Sequence, residues 1–174
     1  HDGRNRYSMA CKPLGVMLKP DGSNKLAFRN AFKDRVRTCV WLDLLEVHNG
    51  TQDENGADLY EDIIDRTSLI TMAQIRDARE VRQTNNIQRE LLDVKMMYEC
   101  LKNSIEEDMA TSIATKYEDI DSDGTVLWKV LMDNISSKAT KQQVRLWKAT
   151  LRNLKMADYG YNVKVMNSKI SKII

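Results

Sequence analysis

No stretch of this sequence is apolar for long enough to span a membrane, and no signal-peptide pattern opens it. Those two absences exclude membrane partners and lead to the expectation of an intracellular, cytoplasmic protein. The chain opens on His1 rather than Met and reads as a fragment of something longer. Cysteine is scarce. Cys11, Cys39 and Cys100 are odd in number and widely spaced, which argues against a disulfide framework and for a reducing compartment. Each thiol therefore reads as a small core residue. The two histidines, His1 and His48, are far apart, and no Cys/His spacing reads as zinc. There is no P-loop, nucleophile elbow or metal-helix motif. Asp123-Gly124-Thr125 lacks the Ser or Thr that an aspartic-protease triplet places before its glycine. The expectation is a protein that is not an enzyme, with no cofactor, no metal and no small-molecule substrate.

Alternation of apolar and polar residues at period two is also missing, so no strand is expected. What remains is helical spacing. The apolar share of 42% supports a real core, and the charged share is 30%. At 174 residues the chain suits one compact domain or two small lobes. Net charge is only +2, but it is polarised. From Ser136 onward there are nine basic residues and one acid. The first 135 residues therefore hold 27 − 9 = 18 basic and 25 − 1 = 24 acidic ones. Such polarity suits head-to-tail association, or a tail held near polyanions.

Residues 1–20 are broken by Gly3, Pro13, Gly15 and Pro20 and read as an irregular N-terminal arm. Residues 21–174 read as one helical region with a lobe boundary near 117–125. Asp21-Gly22-Ser23-Asn24 is a turn, with Ser23 expected to cap the next helix. Phe28, Phe32, Val36 and Cys39 then recur at helical spacing, with Trp41 and Leu44-Leu45 behind them, and Asn49-Gly50 ends the unit. Residues 51–65, rich in acids, read as a loop entering a helix. Residues 68–83 read as a helix whose Arg76, Arg79 and Arg82 interleave with acids on a solvated face. Asn85-Asn86 is expected to cap the helix after that. There Ile87, Leu91, Val94, Tyr98, Leu101 and Ile105 form the most regular apolar stripe, read as core-facing. Another helix carries Met109 and Ile113, and a short one carries Val126, Leu127, Val130 and Leu131.

Gly124 to Ile174 has no proline. Val144, Trp147, Leu151 and Leu154 share one face at about 100° per residue. Lys141, Arg145, Lys148, Arg152 and Lys155 repeat the rhythm one place later, as a basic stripe beside the apolar one. Trp128 and Trp147 are expected to be core residues, and the basic stripe is expected to act by charge, in assembly or RNA contact. Asp119, Asp121, Asp123, Gly124 and Val126 match the opening of an EF-hand loop. Its twelfth position is Val130, however, where calcium needs a bidentate Glu. The turn is read instead as an acidic cap on the helix beginning near Thr125. The fold class is all-α, a bundle of roughly six or seven helices.

Several of these pieces together resemble a known family. Asp21-Gly22-Ser23-Asn24, Phe28, Trp41 and Leu44-Leu45-Glu46 are similar to the start of Gag polyproteins of copia-type LTR retrotransposons. Leu101, Ser104-Ile105, Met109, Ile113 and Leu127-Trp128-Lys129-Val130-Leu131 resemble that family's central block. Tyr159-Gly160-Tyr161-Asn162-Val163, Met166 and Ile170 resemble a later motif of some relatives. Phe28 stands where the family usually has Trp, Lys25 replaces an aromatic, and residues 50–86 have no counterpart. The zinc knuckle that many such Gags carry downstream is not present. The resemblance implies a retroviral-capsid-like bundle whose motif core is Phe28, Trp41, Leu127, Trp128, Leu131 and Trp147. It implies a structural protein that multimerises into a shell, a virus-like particle, around element RNA. Its partners would be further copies of itself and RNA, the latter through Lys141, Arg145, Lys148, Arg152 and Lys155. The alternatives are a stand-alone helical adaptor and an RNA-binding module using that basic face.

Overall fold

A computed structural model describes the backbone of residues 2–116 and 122–156, with side chains from Tyr7 onward except at 114, 116, 136–140, 142 and 154–156. The chain divides into two compact units, His1–Ile135 and Ser136–Ile174, so the division falls later than the expected 117–125. Among the described residues the fold is mainly helical, with a single two-stranded sheet.

In the first unit, α1 (Asp2–Cys11) takes up the first half of the expected irregular arm, and residues 12–20 are irregular as expected, apart from a single bridge of Leu18 to Ile105. The breakers Pro13 and Gly15 fall just after it, and Gly3 lies in its first turn, where glycine costs least. The helix is fastened by Arg35, whose guanidinium donates to the carbonyls of Ala10 at 2.9 Å and Lys12 at 2.6 Å. α2 (Lys25–Cys39) buries Phe28, Phe32, Val36 and Cys39, the stripe read from the sequence. Its N-cap is Asn24, not Ser23. The Asn24 side chain makes no cap bond; it accepts from Lys19 N at 3.0 Å and donates to Met17 O. α2 ends on Val40 in the left-handed region, φ 59°, with 73% of the residue exposed. A β-branched residue there costs roughly 1–2 kcal/mol. Val40→Gly removes that strain but enlarges the entropy of the unfolded chain by about 0.4–1 kcal/mol. The expected result is a small net rise in thermal midpoint, read by calorimetry.

After a 3₁₀ turn (Leu42–Leu45) comes a hairpin, β1 (Glu46–Gln52) against β2 (Asp58–Asp62), with His48 opposite Tyr60. It stands where a loop was expected. Asp53 builds the reversal: its Oδ1 accepts from Asn55 N and Ala57 N, and Gly56 takes φ +80°. Residues 63–70 return under the core with Ile63, Ile64 and Ile70 buried. α3 (Met72–Asn85) starts at a capping box, Thr71 with Gln74, and packs on β1. Asn86 is the left-handed C-cap of α3 and does not cap the next helix, whose N-cap is Ile87.

That helix, α4 (Gln88–Lys102), buries Asp93, Val94, Met96, Met97, Cys100 and Leu101. The expected stripe is therefore rotated: Ile87 is 47% exposed and Leu91 and Tyr98 are half-buried. Long, flexible methionines fill the seam instead. The turn into α5 (Glu107–Lys116) is buried at Ser104 and Ile105. Ser104 O accepts from Leu18 N at 2.8 Å, and Ser104 Oγ accepts from Leu14 N at 2.9 Å. These bonds seat residues 14–18 on the core. Met109 and Ile113 of α5 are buried as expected.

α6 runs from Gly124 to Met156, 33 residues, merging what read as a short helix and a separate later one. No breaker separates Leu131 from Lys141. Residues 123–132 are all buried, so this portion is apolar nearly all round and is the axis of the first unit. Trp128 stacks on Phe32 at 4.6 Å and Phe28 at 5.9 Å. Its Nε1 donates to Thr67 Oγ1 at 3.2 Å, and Lys129 Nζ donates to Thr67 O at 2.8 Å, pinning the 63–70 segment. Gly124 lets α6 approach α4: a Cβ there would lie 2.5 Å from the Cβ and Cγ of Met97.

Candidate assembly surface

The expected basic stripe lies in the second unit. Lys141, Arg145, Lys148 and Arg152 are exposed on α6. The side chains of Leu154 and Lys155 lie outside those described, as do residues 159–170 with their later motif. The apolar neighbours do not behave as expected. Val144 is 41% exposed, Leu146 69% and Trp147 39%, while Leu151 is half-buried. Trp147 is therefore not a core residue, and the six-member motif core is corrected. Phe28, Trp41, Leu127, Trp128 and Leu131 are buried in the first unit, and Trp147 belongs to the second. Period 3.6 identifies residues that share a face; it does not say that anything covers it. A helix turn thus offers an indole, a leucine and a valine to solvent beside four cations.

The acidic turn before α6 is built as a cap. Asp123 is 4% exposed, and its Oδ1 accepts from Thr125 N at 2.9 Å and Thr125 Oγ1 at 2.7 Å. Its Oδ2 pairs with Nη1 of Arg82, itself 7% exposed, at 2.9 Å. Both oxygens are thus committed to protein partners. Asp119 and Asp121 lie outside the described residues. Arg82, expected on a solvated face, is buried because this pair draws it inward. Among the described residues no group of three or more His, Cys, Asp or Glu is placed to hold a metal ion. No described helix is long and apolar enough to cross a membrane.

The cysteines are free thiols. Burial pushes Cys100 up to about 12, against the opposing pull of the Arg35 guanidinium, which donates to its Sγ at 3.5 Å. Cys11 is raised too, chiefly by burial, with a hydrogen bond from Tyr7 working the other way. The thiolate is the reactive form. At pH 8 a thiol of pKa about 12 is ionised to only on the order of one part in ten thousand. Iodoacetamide is therefore expected to label Cys11 first and slowly, and Cys100 only when the chain unfolds. Mass spectrometry across a urea series reads the order, and early labelling of Cys100 would contradict the packing.

The other feature of the surface is a groove of about 520 Å³ in the first unit, between the hairpin and α3. Sequence reasoning missed it because it joins residues some thirty positions apart through an unforeseen hairpin. Leu44, Val47, Ala78 and Val81 give it apolar lining, and Asp43, Glu46, Asp77 and Glu90 supply carboxylates. Arg82 also lines it, but its charge is matched by Asp123. Among the described residues no ion pair reaches those four carboxylates.

No family model matches the chain, and no curated protein or solved structure matches it either.

Proposed function

We propose that this chain is a self-associating structural protein, a capsid-like module of the kind found in Gag of copia-type retrotransposons, that assembles in the cytoplasm around element RNA. The observation that carries the self-association is the exposed turn of α6. Trp147 is a large indole left 39% in water, next to Leu146 and Val144 and beside exposed cations. Covering the part of these side chains still in water is favourable, at roughly 25 cal/mol per Å² of apolar surface removed, and drives the turn toward a partner surface. The Gag reading rests on the resemblance in the sequence, and five of its motif residues are buried together in the first unit. Phe28, Trp41, Leu127, Trp128 and Leu131 come from distant stretches into one core, with Phe28 and Trp128 in a ring stack. Those stretches therefore make one structural unit. RNA contact through the same cations is the second reading, favoured by their exposure and shared sign.

Trp147→Ala tests the proposal. Its thermal midpoint is expected to stay within about a degree or two of the wild type, because a half-exposed position contributes little to the core. Its self-association is expected to weaken at least about tenfold, the equivalent of about 1.4 kcal/mol. A large fall in midpoint would make Trp147 a core residue after all.

A further inference from the structure

Resting on the self-association proposed above, we infer that the groove between the β1–β2 hairpin and α3 is the seat of the basic turn of α6 from a second copy of this chain. The two surfaces match in both respects that matter. The helix turn presents Trp147 and Val144 flanked by Arg145 and Lys148, all exposed. The groove presents Val81, 59% exposed, on an apolar lining, rimmed by Asp43, Glu46, Asp77 and Glu90. Asp77 and Val81 are one helical turn apart on α3, so acid and apolar contact alternate along the same face that Arg145 and Trp147 would meet. Apolar groups facing apolar groups supply the affinity, and opposed charges supply orientation and approach rate.

The chain-wide polarity runs in the same sense. The part from Ser136 onward carries nine basic residues and one acid, and the part before it is six charges to the acidic side, 18 against 24. Because groove and helix turn are different surfaces of one chain, the contact is heterologous. Repeating it propagates a ring or a filament rather than closing a two-fold dimer.

The test uses charge reversal on the full chain. One variant carries Glu46→Lys and Asp77→Lys, and the other carries Arg145→Glu and Lys148→Glu. All four positions are exposed, so both variants are expected to keep the helicity and melting of the wild type. Should the groove variant unfold, Val81→Lys is measured in its place. Each variant alone is expected to associate at least about tenfold more weakly than the wild type. An equimolar mixture is expected to recover wild-type assembly, since each reversed surface then meets its complement on the other chain. A groove variant that associates like the wild type overturns the inference while leaving self-association standing. So does a mixture that fails to recover. If the groove variant assembles normally while the helix variant has lost only RNA affinity, the basic turn serves RNA and the inference is again overturned. A wild-type chain that never associates removes both this inference and the reading it rests on.

Discussion

Replacing Trp128 by Ala is expected to destabilise the first unit by about 3–5 kcal/mol, the range for an aromatic removed from a closed core. Trp128 is 0% exposed and sits on the helix around which that unit is built. Its removal leaves Phe28 and Phe32, also fully buried, facing a void. It also leaves the Thr67 hydroxyl without the indole donor, loosening the 63–70 segment. Packed neighbours from α2 and the 63–70 segment close over the site, so collapse into the space is limited. The thermal midpoint is expected to fall by on the order of 10 °C. Trp128→Phe separates the contributions, since it keeps ring stacking and loses the Thr67 bond and part of the volume. A midpoint unchanged in Trp128→Ala would contradict the core described here.

The second large effect is expected at Asp123. Asp123→Ala strips the partner from a guanidinium that is itself buried, which typically costs about 3–5 kcal/mol. It also removes the cap bonds at Thr125, worth about 1 kcal/mol. The two parts can be resolved. Asp123→Asn keeps an oxygen for the Thr125 cap and removes the charge facing Arg82. Adding Arg82→Met to Asp123→Asn is expected to recover most of the loss, because a buried pair replaced on both sides is often near neutral. If the double variant is no better than Asp123→Asn alone, Arg82 matters through Leu44 O, to which its Nη2 also donates, rather than through Asp123.

Much of the first unit was legible because its elements bury residues at regular helical spacing. Phe28, Phe32, Val36 and Cys39 on α2 are the clearest case, and Met109 with Ile113 on α5 is another. The α4 stripe is legible only in part: Val94, Leu101 and Ile105 are buried as expected, but Met96 and Met97 fill the seam in place of Ile87, Leu91 and Tyr98, which rotates the buried face. The hairpin was missed because it is thin: Val47 is the only residue of its two strands that is buried, so no alternation marks it. Its turn did leave a trace in Asp53 and Asn55-Gly56, a combination suited to a tight reversal. Trp147 shows a different limit. A stripe read from sequence has the same spacing whether it faces a core or another molecule, and only packing separates the two. The groove could not be read at all, since it needs the hairpin and α3 side by side.

The most direct test of self-association is sedimentation velocity of the wild-type chain over a wide range of concentration, at low and high salt, without RNA. Weight-average mass is expected to climb above that of a monomer, 20.1 kDa, as concentration rises. It is expected to fall back toward it in high salt, where charge pairing across an exposed surface is screened. A mass that stays at the monomer value at every concentration in low salt would contradict the account.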